Sequence, residues 1–245
     1  MCTVTVIRQP DDLIRIAINR DEKRTRPTAL PPRLKHFGER QAILPIDSAA
    51  GGTWAAVNDA GIAFVLLNQN PDGGPDWTGS CRKSRGLIIP LLLHCDSVVE
   101  AMQTASYFKA DQFGPFRLIV VDRGSIGQVD SDGFQHVAAI NPLGDEPLMF
   151  TSSSLGDRLV DGPRRTLFES TSFHSARAQD HFHRHIWPAA PHLSVCMTRD
   201  DARTVSFSII ELRSETVRFA YHADAPDRPA KLHCVSLPSM TASAV

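Results

Sequence analysis

Apolar and polar residues alternate along Cys2-Thr3-Val4-Thr5-Val6-Ile7 and again through residues 13–19, where Ile14, Ile16 and Ile18 fall on one side. A period of two marks half-buried strands, and Gln9-Pro10-Asp11-Asp12 between them reads as the turn of an N-terminal hairpin. Residues 23–50 then turn polar and carry Pro27, Pro31, Pro32 and Pro45, which predicts one long loop. Loops of that length inside a domain tend to be functional. Gly51-Gly52 introduces a strand over 53–57, Asn58-Asp59-Ala60-Gly61 a turn, and 62–68 a return strand apolar enough to be buried on both faces.

Past a Pro/Gly-rich loop at 70–79 the period lengthens. Leu87, Ile88, Leu91 and Leu92 share a helical face, although Pro90 limits that helix. Ser97-Val98-Val99-Glu100 has the form of a capping box, followed by Val98, Met102 and Ala105 at helical spacing. A meander over 116–121, 126–129 and 134–140, a strand over 148–152 and a helical region over 163–187 come next. Strands over 192–197, 204–212 and 216–221 close the series, and the Pro-rich stretch 223–245 is expected to wrap the surface. Two antiparallel sheets covered outside by helices would bury every apolar face, so the expectation is one α+β domain spanning 1–245.

A net charge of −1 with both signs mixed along the chain gives no field for nucleic acid. The longest apolar run, 87–93, is too short to span a bilayer. Five scattered cysteines without a C-x-x-C pair, and no leader-like start, point to a reducing, cytoplasmic setting. A histidine stripe (His174, His181, His185, with His183 facing away) lacks the carboxylate of H-E-x-x-H, so no metal site is expected and a solvated or capping role is favoured.

Cys2 carries the sharpest chemistry. Methionine is trimmed before small residues, and loss of Met1 would place a thiol and an α-amine on one residue. That amine titrates at about 7.7–8.0, so it can act as base for its own side chain. A small apolar residue opening a strand is the other reading of Cys2. The hairpin brings Asn19-Arg20-Asp21-Glu22 back beside it, where Asp21 could orient the amine and Arg20 lower the thiol pKa. Asn68, at the end of the return strand, offers a neutral donor for an oxyanion, or simply starts a turn. The hydroxyls of Thr151-Ser152-Ser153-Ser154 could contact substrate, but helix capping explains most such runs.

Met1-Cys2-Thr3-Val4, Asn19-Arg20-Asp21-Glu22, Gly51-Gly52-Thr53-Trp54, 61–68, Thr151-Ser152-Ser153-Ser154 and Ser194-Val195-Cys196-Met197 occur in the order of the NRDE, or transport and Golgi organisation 2, family. The chain resembles that family over 1–212 and, more remotely, the N-terminal-nucleophile (Ntn) hydrolases of choloylglycine hydrolase and penicillin acylase type. The resemblance implies a four-layer αββα sandwich. It also implies Cys2 as nucleophile, Asp21 as the carboxylate near the amine and Asn68 as oxyanion donor. On the same reading Arg20 would support the thiol, and Asn19, Trp54, Thr151, Ser152 and Arg165 (or its neighbour Arg164) are the expected substrate contacts. The chemistry implied is hydrolysis or acyl transfer at a non-peptide amide, with no cofactor required. The alternative it implies is a non-catalytic carrier of haem or an acyl-CoA-like lipid ligand. Two departures stand out. The Arg-Asn-x-Asp string of those hydrolases reads Ile18-Asn19-Arg20-Asp21 here, with the arginine two places on and expected on the other strand face. Ser152 occupies the place of their second asparagine.

Overall fold

The computed structural model describes residues 2–70 and 83–240, so the predicted loop at 70–79 lies almost entirely outside the described residues. Every neighbouring strand pair is antiparallel, in two sheets. One sheet runs β10 (Leu148–Ser152), β1 (Cys2–Gln9), β2 (Leu13–Lys23), β11 (Ala202–Leu212), β12 (Thr216–His222), β13 (Leu232–Pro238). The other runs in chain order: β3 (Leu30–Phe37), β4 (Arg40–Ile46), β5 (Ala55–Asn58), β6 (Ala63–Asn68), β7 (Phe116–Val121), β8 (Ser125–Ser131), β9 (His136–Pro142).

The alternation read from the sequence decides which side chains face which layer. Val4, Val6, Ile14, Ile16 and Ile18 meet Val57, Val65, Leu67, Ile119 and Val121 between the sheets. The opposite face of the first sheet presents Ile7 and Met149 to Phe168, Phe173 and Phe182 of an outer layer built by α2 (Asp157–Ser170) and α3 (Ala176–His183). The outer face of the second sheet presents Phe64, Leu66, Leu118 and Val120 to α1 (Val98–Ser106) and the turns before it. Three stacked apolar layers therefore hold an αββα sandwich together. Each fully buried Val, Leu, Ile or Phe contributes about 1.5–3 kcal/mol before entropy is counted.

Several local expectations are corrected. Residues 23–50 are not one loop but contain the β3–β4 hairpin, turned at Gly38 with φ +64°. Pro31 and Pro32 are tolerated because β3 is an edge strand and its register slips between Leu30 and Arg33. The helix expected near 87–93 is a pair of 3-10 turns, Arg85–Leu87 and Ile89–Leu91, since Pro90 has no N–H to extend a helix. Its buried set is Ile88, Ile89, Leu92 and Leu93, with Leu87 and Leu91 exposed. The region 163–187 is two helices, the first beginning at Asp157 and including Pro163. Residues 192–197 form no strand: their carbonyls accept side-chain hydrogen bonds from Asn19 and Arg164. The stretch after Ala223 does not only wrap the surface, because β13 adds an edge strand on β12 with Leu237 buried and Val235 packed on the inter-sheet core.

Candidate active site

Cys2 opens β1, an inner strand, with Arg20 of β2 and Ser152 of β10 as its cross-strand partners. It is 95% buried, with 5% of its surface exposed, at the edge of a cleft of about 380 Å³. Arg20, Asp21, Trp54 and Asn68 line the same cleft, so two hairpins from different sheets bring these predicted residues together. The expected change of strand face for the arginine is corrected: two places is a full strand repeat, so Arg20 keeps the face of Ile18, the face on which Cys2 lies. Among the described residues the Asn68 side-chain amide makes no hydrogen bond, which leaves its N–H groups for a ligand.

The remaining predicted contacts are elsewhere. Asn19 is fully buried on the opposite strand face, where its amide donates to the carbonyls of His183 (2.9 Å) and Val195 (2.8 Å). Thr151 accepts from Arg164 at 2.7 Å and donates to the Cys2 carbonyl at 3.4 Å. Arg165 sits on the surface, paired with Asp161 at 3.0 Å. None of the three lines the cleft, so their expected substrate contacts are corrected. Ser152 is also absent from the lining, but its Oγ accepts from the Cys2 backbone nitrogen at 3.2 Å. It touches the atom that would become the α-amine.

Arg164, not Arg165, stands behind Cys2. It is 1% exposed and donates to Thr3 Oγ1 (2.9 Å), Thr151 Oγ1, and the carbonyls of Leu193 (3.0 Å) and Ser194 (2.8 Å). Burial pushes the Asp21 carboxyl up, against Arg164 and a 2.6 Å hydrogen bond from Thr204 Oγ1, which favour its charged form. Burial likewise pushes the Cys2 thiol up; the Asp21 carboxylate adds to this, while Arg20 and the Asp21 backbone N–H act the other way.

Asp47 is a site residue that motif reading missed. Its Oδ1 accepts from the backbone N–H groups of Ala49 (3.0 Å) and Ala50 (3.1 Å), folding the 47–52 turn. Its Oδ2 takes Arg20 (2.6 Å) and Arg26 (2.8 Å). Burial works to raise this carboxyl, but the two arginines and the Ala50 N–H outweigh it and hold it below the usual range. The Arg20 guanidinium also lies 4.1 Å from the Trp54 ring centre, a cation–π contact that fixes it over the cleft. An Asp just before a Ser-Ala-Ala-Gly-Gly run was the available signal, an Asx turn.

The cleft wall depends on two glycines. A Cβ on Gly52 would sit 2.5 Å from the Gly86 backbone, whereas one on Gly86 would meet Gly52 and Thr53 at 3.2 Å. Gly52→Ala is therefore expected to destabilise the protein by about 1–3 kcal/mol, as overpacking does, and Gly86→Ala by less. Urea unfolding of both variants checks the order.

The expected histidine stripe does not form, because α3 ends at His183 and leaves His174 and His185 outside it, and His183 itself belongs to the buried scaffold. The Asn19 amide orientation is fixed by the two carbonyls it donates to, so Asn19 Oδ1 accepts from His183 Nδ1 (3.2 Å). Gln179 Nε2 donates to Thr5 Oγ1 (2.8 Å), which leaves the Thr5 hydroxyl proton for His183 Nε2 at 2.8 Å. The ring is thus neutral, and burial, followed by Arg15, Arg184 and Arg164, pushes its pKa down to about 3. The unfolded chain takes up this proton near pH 6.5, so the stabilisation is full above that pH. It is lost as pH falls from 6.5 towards 3, by roughly 1.4 kcal/mol per unit. His183→Gln should flatten the slope of unfolding free energy against pH in that window.

The fold has counterparts among solved structures. Over 99% of this chain and 87% of its own length, a penicillin V acylase from Agrobacterium tumefaciens superposes with TM-score 0.55 at 13% identity. A conjugated bile acid hydrolase from Clostridium perfringens does so with TM-score 0.53 at 12% identity, covering 100% and 94%. The Caenorhabditis elegans orthologue of N-acylethanolamine-hydrolyzing acid amidase gives TM-score 0.54 at 12%, covering 93% and 94%. At these identities the likeness establishes the Ntn-hydrolase fold and nothing finer. The chain itself belongs to the Transport and Golgi organisation 2 family, whose model matches residues 1–180. No curated protein matches it. No helix among the described residues is long and apolar enough to cross a membrane.

Proposed function

We propose that this protein is an N-terminal-nucleophile amidohydrolase acting on small non-peptide amides, with Cys2 as first residue after removal of Met1. The observation that supports it most is the convergence of Cys2, Arg20, Asp21 and Asn68 on one cleft from two sheets. The buried thiol has a raised pKa, so the thiolate forms as it attacks rather than resting in the site. The α-amine takes the thiol proton while Sγ adds to the amide carbonyl carbon. The carbonyl electron pair moves to oxygen, where the Asn68 amide donates a hydrogen bond. The ammonium then returns its proton to the departing nitrogen, the C–N bond breaks, and a thioester remains. Water, deprotonated by the amine, adds to the thioester; the C–S bond breaks, the thiol is reprotonated, and a carboxylic acid leaves. An amine in place of that water would give acyl transfer. Asp21 and Ser152 hold the α-amine in place.

Two readouts test this. Protein verified to lack Met1 should release the amine from fluorogenic N-acyl amides with a burst of one equivalent per chain. Because the amine must be neutral to accept a proton, kcat/KM should rise with pH through about 7.7–8.0. Tight haem or acyl-CoA binding with no turnover of any amide would favour the carrier reading instead.

A further inference from the structure

Charges around the cleft do not balance locally. Its lining includes Arg20, Arg26, Lys83 and Arg85 against Asp21, Glu22 and Asp47. The acids are engaged on one side: Asp47 with Arg20 and Arg26, Glu22 with Arg20 (3.5 Å) and Arg26 (3.4 Å), and Asp21 against the buried Arg164. On the other wall, Arg85 and Lys83 make no ion pair with any described residue. Arg85 is half-buried, and its Nη1 donates to the Pro115 carbonyl at 2.8 Å, which fixes the guanidinium without neutralising it. Lys83 Nζ donates to Gln112 Oε1 at 3.1 Å, again a neutral partner. Glu22 acts on Arg85 only at longer range.

A half-buried guanidinium tied to a carbonyl has lost part of its water and gained no counter-charge, which is costly unless a ligand supplies one. Its fork is shaped for a carboxylate or phosphate. We propose that Arg85, assisted by Lys83, is the specificity-determining anchor for an anionic group, so that the amides handled by this cleft carry a carboxylate or phosphate. This rests on the amidohydrolase reading for the word amide, but not for the anion.

The test therefore uses Cys2→Ala protein, which cannot turn over, and calorimetric binding of three ligands with one acyl chain: the N-acylglycine, the N-acyl phosphoethanolamine and the neutral N-acylethanolamide. The anionic ligands are expected to bind at least tenfold tighter than the neutral one, and their ranking tells carboxylate from phosphate. In Arg85→Gln, which retains an amide donor for Pro115, the preference should fall to within threefold; Lys83→Gln, at an exposed position, should lower it by a smaller factor. Equal binding of all three, no binding at millimolar concentration, or a preference surviving both substitutions overturns the proposal. If the preference holds while wild-type protein verified to lack Met1 turns over no amide, these three included, the amidohydrolase reading fails and the anion site stands.

Discussion

Replacing Cys2 with alanine is expected to lower amide hydrolysis by roughly 10⁴-fold or more, since the attacking atom is gone and no other group in the cleft can form the thioester. The structural cost should be small. One sulfur is removed from a residue with 5% exposure, and the backbone pairings of Cys2 with Arg20 and Ser152 do not involve it. Cys2→Ser should give a weaker nucleophile rather than a restored one. Burial already opposes ionisation of the thiol, and a hydroxyl in the same place would ionise less readily still. Steady-state kinetics beside circular dichroism of both variants separates lost chemistry from lost fold. An alanine variant with wild-type kcat/KM would remove the proposed mechanism.

Arg164→Met should produce the largest loss of stability of any single change in the site, about 3–5 kcal/mol. The substitution keeps bulk but strands a buried carboxyl, Asp21, without its main buried positive partner. Four acceptors lose their donors together: Thr3 Oγ1, Thr151 Oγ1, and the carbonyls of Leu193 and Ser194. Since those carbonyls belong to the strandless 192–197 segment, its conformation should loosen first, read as faster amide exchange there. Arg164→Lys keeps the charge but not the fork, and should recover only part of the loss. Urea unfolding of the three proteins measures it. A loss below about 1 kcal/mol for the methionine variant would mean that the network is not holding β1 and β10 to α2.

The parts of this molecule most legible in its sequence are those set by strict period two. The isoleucines of β2 and the β1–β2 register followed from alternation, and with them the approach of Arg20 and Asp21 to Cys2, while β6, buried on both faces, followed from an unbroken apolar run between turn signals. What stayed hidden depended on partners far along the chain. Pro31 and Pro32 argue against a strand until β3 is known to be an edge. The apolar run 192–197 looks like a strand until Asn19 and Arg164 take its carbonyls. Asn19 belongs to the family string but sits on the helix side of the sheet, since its neighbours Ile18 and Arg20 face the cleft side. Arg164 and Arg165 cannot be told apart by spacing; only the turn of α2 decides which one is buried. Asp47 and Arg85 come from turns, whose side-chain directions no period encodes.

Identifying the atom that carries the acyl group during turnover is the most direct test of the account. Protein quenched with acid while hydrolysing an amide, then mapped by peptide mass, should yield a first peptide that begins at Cys2, lacks Met1 and bears the acyl mass on sulfur. An acyl adduct on any other residue, or steady turnover by chains that retain Met1, would contradict it.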